Sequence, residues 1–349
     1  MFKGIDLSSD TVTQPTIPMR QAMFNASVGD EQKNEDPTTN RLQEMISQML
    51  GFDHAIYLPS ATMANQIAIA SLCGSGDVLL AADNSHIFVS ESGGPAVHAR
   101  VMSRSIPTKT GLFTKNHIEK YHYWRKNFHH PSVKLISIEN TTNFGGGIPW
   151  EKKELLHVVN YAKEKGIYTH MDGSRIFNAS IKTKLSVKEI CMGFDMITIC
   201  LSKGLGCPVG ALLVFNEDRY TKVRQLKHLM GGAMRQSGII AAAGIYALEN
   251  NVARLKIDHE NALALANILI QYNQHIKVIT DPPQTNIIVF EWISNFFSAE
   301  KFIDCCMEKG LRFSQIGKNR FRAVTHLDIT SDNIVSAGKI IHEIFLMQT

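Results

Sequence analysis

Strand-like and helix-like segments alternate through the first 250 residues of the chain. Residues 54–58 form a short apolar run that stops at Pro59, and residues 66–72 then read as a helix. Residues 77–81 read as a buried strand. Residues 133–138, β-branched and uncharged after Lys134, read as another. Pro149 opens a predicted helix whose inward face is Leu155, Leu156, Val159 and Ala162, and Gly166 closes it. Strands at 167–171, 195–201 and 209–215 follow. Strands separated by helices imply a mainly parallel sheet covered on both faces. From about Asn250 the texture changes to a long helix (250–272), a strand (285–292), a helix (299–309), two short β-like pieces (311–313 and 321–325) and a terminal helix from Ser331. The pattern predicts an α/β domain over 1–250, with an N-terminal arm of about 20 residues, and a smaller α+β C-terminal domain over 251–349.

Composition narrows the class without naming it. The 349 residues are 44% apolar and 19% charged, as in an ordinary globular protein. Lysine and arginine exceed aspartate and glutamate by 36 to 32, with no basic run, which argues against nucleic acid as a partner. The six cysteines show no C-x-x-C spacing, so neither a disulfide framework nor a zinc pairing is expected, and a cytoplasmic location is. Charges occupy the first ten residues where a signal peptide needs apolar ones, and the longest apolar run, 238–248, is too short to span a membrane.

Ligands of open α/β sheets bind outside the carboxyl ends of the strands, so the residues after each predicted strand carry the candidate chemistry. Asp172-Gly173-Ser174-Arg175 follows the strand at 167–171; alone, such an acid can simply cap a helix. Ser202-Lys203-Gly204-Leu205-Gly206 follows the strand at 195–201; alone, Lys203 can be a solvated surface lysine. The glycines from Gly204 to Gly210 mimic a dinucleotide fingerprint but run into a strand rather than a helix, so nicotinamide chemistry is unsupported. Ser60-Ala61-Thr62-Met63-Ala64-Asn65 links a strand to a helix and offers either an anion site or a plain N-cap. Together, an anion-binding helix start, a strand-end acid and a strand-end lysine are the parts that hold pyridoxal 5'-phosphate. Arg175, Arg235 and Arg322 are candidate clamps for carboxylate or phosphate.

Several motifs, in order along the chain, resemble those of the low-specificity L-threonine aldolases. They are Asp6-Leu7-Ser8-Ser9-Asp10-Thr11-Val12-Thr13, Glu35-Asp36-Pro37-Thr38, Thr62-Met63-Ala64-Asn65, Glu91-Ser92-Gly93-Gly94-Pro95, Glu139-Asn140-Thr141, Asp172-Gly173-Ser174-Arg175, Leu201-Ser202-Lys203-Gly204-Leu205-Gly206, Met234-Arg235-Gln236-Ser237-Gly238 and Val324-Thr325-His326-Leu327-Asp328. The resemblance implies the aspartate-aminotransferase-like fold, pyridoxal phosphate as cofactor and a homotetramer built as a dimer of dimers. It implies Lys203 as the Schiff-base lysine, Asp172 as partner of the pyridine nitrogen and His86 as the histidine stacked on the ring. Ala61 and Thr62 fall in the phosphate loop, with Arg235 reaching a phosphate across a subunit boundary. Ser9, Arg175 and Arg322 hold the substrate carboxylate, and His129 lies near the β-hydroxyl, with His130 set one residue off. The chain departs from the family pattern at Ser8, Lys33-Asn34, Ala61 and Thr142; Lys33 and Thr142 are expected on a substrate-side wall.

The reaction so implied is retro-aldol cleavage of threonine or allo-threonine to glycine and acetaldehyde, with His86 or His129 taking the hydroxyl proton directly or through water. A β-eliminating lyase or an amino-acid racemase of the same fold is the nearest alternative. A non-catalytic scaffold is a reading from another class.

Overall fold

The computed structural model describes residues 2–122 and 128–346, except the side chain of His122. Its centre is a seven-stranded sheet in the order His54–Leu58, Ala211–Phe215, Met196–Cys200, Tyr168–Asp172, Val133–Glu139, Val78–Ala82, Met102–Ile106. Ala211–Phe215 is antiparallel to both its neighbours and every other pairing is parallel, so the sheet is mainly parallel with one reversed strand. Successive residues serve opposite faces. Ile197, Ile199, Leu212 and Val214 enter one apolar cluster, while Met196, Leu213 and Phe215 enter another. Burial on both faces explains why these strands read as unbroken apolar runs.

The helix Ala61–Leu72 covers the second face, with Ala64, Ile67, Ala68 and Ile69 inaccessible to solvent. It starts five residues earlier than its apolar pattern suggests, because the Ser60 hydroxyl accepts the Met63 N–H (3.1 Å) and caps it. The helix Lys152–Lys165 ends at Gly166 in the left-handed conformation, as expected. It begins two residues beyond Pro149–Trp150, and its inward face is Leu155, Val158, Val159, Tyr161 and Ala162, with Leu156 only half-buried.

The C-terminal portion builds its own antiparallel sheet in the order Ser314–Gly317, Arg320–Val324, Ile287–Trp292, Ile276–Val278. The long helix expected over 250–272 is Leu255–Ile270: it starts five residues later than expected, because residues 251–254 turn after the preceding helix Gly238–Asn250. The N-terminal strand Ile5–Asp6 does not join the large sheet. It pairs in parallel with Leu311–Arg312, and Ile5 and Leu7 are buried in the C-terminal apolar cluster. Among the described residues no helix is long and apolar enough to cross a membrane.

Candidate active site

The site is built where the parallel strands end. Asp172 is the last residue of Tyr168–Asp172 and is buried. The chain turns there through Gly173, whose N–H donates to the Thr198 carbonyl (2.8 Å); a Cβ at this position would lie 2.7 Å from that same oxygen, so only glycine lets the two strand ends approach so closely. Lys203 opens the turn between Met196–Cys200 and Ala211–Phe215. That turn closes with the Gly206 N–H on the Lys203 carbonyl (2.8 Å), and Gly206 has φ +79°, which explains the glycines that imitate a dinucleotide loop. Ala61 and Thr62 are the first two residues of the helix Ala61–Leu72. Their N–H groups have no helical acceptor, and Ala61 is not among the residues of positive φ, so alanine costs nothing there.

The side chains converge. Asp172 accepts from Asn65 Nδ2 (2.9 Å) and from the Ser174 N–H (3.1 Å). Burial alone would raise its carboxyl, but the charge of Lys203, then that of His86, and the Ser174 hydrogen bond hold it below its ordinary value. Lys203 is half-buried, and its ammonium has no hydrogen-bonded or ion-paired partner among the described residues. His86 starts the short helix His86–Val89; its backbone N–H donates to Glu139 (2.7 Å) and its Nδ1 meets Glu91 at 2.8 Å. Burial would lower its pKa, but the hydrogen bond to Glu91 and the charges of Asp172 and Glu91 raise it overall. Glu139 is raised, chiefly by burial and then by Asp172, although the backbone N–H groups of Asn143 and His86 oppose this.

Two buried arginines stand side by side and differ in their company. Arg175 makes two bonds of 2.7 Å to Asp10, from Nε and Nη2, and the two charges offset the burial of each. Arg322 is 8% exposed and donates to the Asn143 amide oxygen (2.6 Å) and to the Ser8 carbonyl (3.3 Å). It makes no ion pair among the described residues, and its Nε is buried without a partner. Burial, and then repulsion from Arg175, pull its pKa down to about 10. Its charge is therefore intact at neutral pH and lacks a counter-ion.

The remaining candidates lie at the edge of this cluster or away from it. Ser9 caps the short turn Asp10–Val12 by accepting the Thr11 N–H (3.2 Å). Arg235 is largely exposed and pairs with Asp30 (3.1 Å), while Glu31 fastens its loop to the 30–33 turn by accepting the Met234 N–H (3.2 Å) and donating its own N–H to the Arg235 carbonyl (3.0 Å). His129 is exposed and its ring lies 3.8 Å from that of Phe128. Lys33 is exposed. Thr142 is buried, its hydroxyl accepts the Ile148 N–H (3.3 Å), and its methyl crowds Gly111.

Sequence reasoning assigned no role to Glu91, Asn65, Gln66, Asp10 and Asn143, which tie the cluster together. A signal existed for two of them, since adjacent amides at Asn65 and Gln66 interrupt an apolar helix. Ligand atoms of His86, Glu91 and Asp172 lie within 4.8 Å of one another, but both carboxylates already accept hydrogen bonds from amide N–H groups. The donor set suits pyridoxal phosphate instead: an unengaged amine, an ionised strand-end carboxylate, an imidazole ring and a helix start open to an anion.

Comparison with known proteins agrees with this geometry. A family model described as beta-eliminating lyase matches residues 6–293. The chain is 42% identical over 265 residues to a low specificity L-threonine aldolase of Escherichia coli (strain K12), covering 76% of this chain and 79% of that protein. It is 35% identical over 338 residues to low-specificity L-threonine aldolase 1 of Arabidopsis thaliana, covering 96% and 94%. Among solved structures, Leishmania major threonine aldolase superposes with a TM-score of 0.83 at 18% identity, over 99% of this chain and 100% of that one, a likeness of fold. The chain belongs to the beta-eliminating lyase family, and within it to the low-specificity L-threonine aldolases.

Proposed function

We propose that the protein is a pyridoxal-phosphate-dependent lyase that cleaves L-threonine or L-allo-threonine to glycine and acetaldehyde. The observation that carries this reading is the unengaged Lys203 amine, close enough to Asp172 for its charge to lower that carboxyl. The names of the Escherichia coli and Arabidopsis thaliana relatives support the substrate.

When bound, pyridoxal phosphate supplies the electron sink for the pair released as the Cα–Cβ bond breaks. Lys203 carries the cofactor through its amine. Asp172, held ionised, keeps a proton on the pyridine nitrogen. The N–H groups of Ala61 and Thr62 hold the phosphate at their helix N-terminus, and Arg235 reaches the phosphate of a neighbouring subunit. Arg322 takes the amino-acid carboxylate, the counter-ion it lacks; Arg175, already bound to Asp10, and Ser9 shape the same corner. Fixing the carboxylate at Arg322 would orient the amino acid so that its Cα–Cβ bond is presented for cleavage. His86 accepts the β-hydroxyl proton; the exposed His129 is the other candidate. A base with a raised pKa must lose its own proton first, so kcat/KM falls as pH drops below a value somewhat above 6.5.

The same reading needs at least a dimer, because Arg235 serves a neighbour; the resemblance extends this to a homotetramer, a dimer of dimers, and the cysteine usage favours the cytoplasm. It divides the chain into a cofactor domain over 1–250 and a small domain over 251–349. The test is the visible spectrum of the purified protein before and after L-threonine or L-allo-threonine, with acetaldehyde assayed in the same tube. A cofactor band with acetaldehyde is the expected result. A band without acetaldehyde overturns the substrate and returns elimination, which releases ammonia, or racemisation. No band after reconstitution overturns the cofactor.

A further inference from the structure

Glu91 has no assigned part in the proposed chemistry, yet its carboxylate meets three side chains. Its side chain is fully buried. Oε1 meets His86 Nδ1 at 2.8 Å and Asn65 Nδ2 at 2.7 Å, and Oε2 meets Gln66 Nε2 at 2.6 Å. No lysine or arginine pairs with it among the described residues. Both amides turn their N–H groups toward Glu91 although this leaves Asn65 Oδ1 and Gln66 Oε1 buried without a partner. A neutral carboxyl would have a proton to give to one of those oxygens; an array of donors alone fits an ionised carboxylate. The turn after His86–Val89 brings Glu91 into reach, and it passes Gln66 so tightly that a Cβ on Gly94 would lie 2.6 Å from the amide carbon.

An ionised acceptor at Nδ1 decides which ring nitrogen of a neutral histidine carries the proton. We infer that Glu91 is a positioning residue that holds the Nδ1 proton of His86, leaves the Nε2 lone pair free to accept a proton, and through Asn65 locks His86 to Asp172. The Asn65 amide spans the two carboxylates, Glu91 at 2.7 Å and Asp172 at 2.9 Å, so the base and the cofactor's partner acid are set by one side chain. Other charged groups face His86 as well. Asp172 at the neighbouring strand end favours its protonation, Lys203 opposes it, and Glu139 accepts its backbone N–H. Glu91 is the one that touches the ring.

The kinetic part of the test rests on the proposed function; the spectroscopic part does not. In the unaltered protein labelled with ¹⁵N-histidine, neutral His86 is expected to carry its proton on Nδ1, and its pKa to lie above 6.5. In Glu91→Gln that pKa falls by about 1 pH unit. The acid limb of kcat/KM moves down with it, and kcat drops about 100-fold with KM little changed. Glu91→Asp, which keeps the charge, restores part of both. A neutral ring protonated on Nε2 in the unaltered protein, or a His86 pKa that does not move in Glu91→Gln, overturns the inference. If the ring behaves as expected but the unaltered enzyme releases no acetaldehyde, the functional reading fails and the positioning role stands.

Discussion

The two ends of the central sheet treat charge in opposite ways. At the amino end, Lys134 and Arg219 each lie 4.8 Å from the centre of the Tyr168 ring, and Asp195 accepts from the Thr169 N–H (2.7 Å). All four of these side chains are half-exposed and line an open hollow of about 540 Å³. At the carboxyl end, Asp10, Glu91, Glu139, Asp172, Arg175 and Arg322 are all buried. Water screens the first set, so each contact contributes little. The second set works in a medium where a charge needs a partner or a ligand. Buried charge is thus concentrated where a reaction can use the field, and the apolar layers between the two ends bear the stability.

Substitutions can break or sharpen that contrast, and their expected effects span a wide range. Lys203→Ala should reduce turnover at least 10⁴-fold and abolish covalent cofactor attachment; a visible spectrum and an acetaldehyde assay read both. Arg175→Met should destabilise the fold by about 3–5 kcal/mol in urea titration, because Asp10 is left buried and unpaired. Adding Asp10→Asn should recover part of that loss. Arg322→Met should behave differently although its burial is similar. With no acid left behind, stability should hold or rise, while KM for the amino acid increases about 100-fold. His170, buried between the hydroxyls of Ser137 (2.9 Å) and Thr198 (3.1 Å), is lowered by burial to about 4. The unfolded chain takes up that proton first, so stability should fall as pH drops from about 6.5 towards 4. Asp258, raised by burial to about 6, works in the opposite sense. In His170→Asn the acid loss should shrink by about 2 kcal/mol, measured as midpoint against pH. Lys134→Ala, at the wet end, should change stability by less than about 1 kcal/mol.

The same contrast explains how much could be read in advance. Strand ends announce themselves locally: Asp172 before a glycine and Lys203 among small residues are visible in a few letters. The alternation of strands and helices was equally local, and the sheet matches it apart from the reversed strand, shifted boundaries and the edge strand Met102–Ile106, whose polar residues gave no apolar run. Partnership is not local. Asp10 meets Arg175 across 165 positions, and Asn143 meets Arg322 across 179. Nothing in either neighbourhood says that one arginine is neutralised and the other is not. The change at Asn250 was legible, but the turn of residues 251–254 that delays the next helix to Leu255 was not. Asp36 shows a middle case. Its place before Pro37 marks a helix start, but its second role, accepting the Gly238 N–H (2.9 Å), appears only in three dimensions.

The pairing of Ile5–Asp6 with Leu311–Arg312 has a bearing on how the molecule is made. During synthesis the first residues leave the ribosome long before their partner strand exists, and about 300 further residues must follow before the arm can dock. Asp10 hangs from that arm, so Arg175 waits for its counter-charge until the C-terminal strands are in place. A chain without the C-terminal strands would keep Lys203 and Asp172 but lack Arg322 and leave Arg175 without its counter-charge, so under the proposed function it would be ready for cofactor before it was ready for substrate.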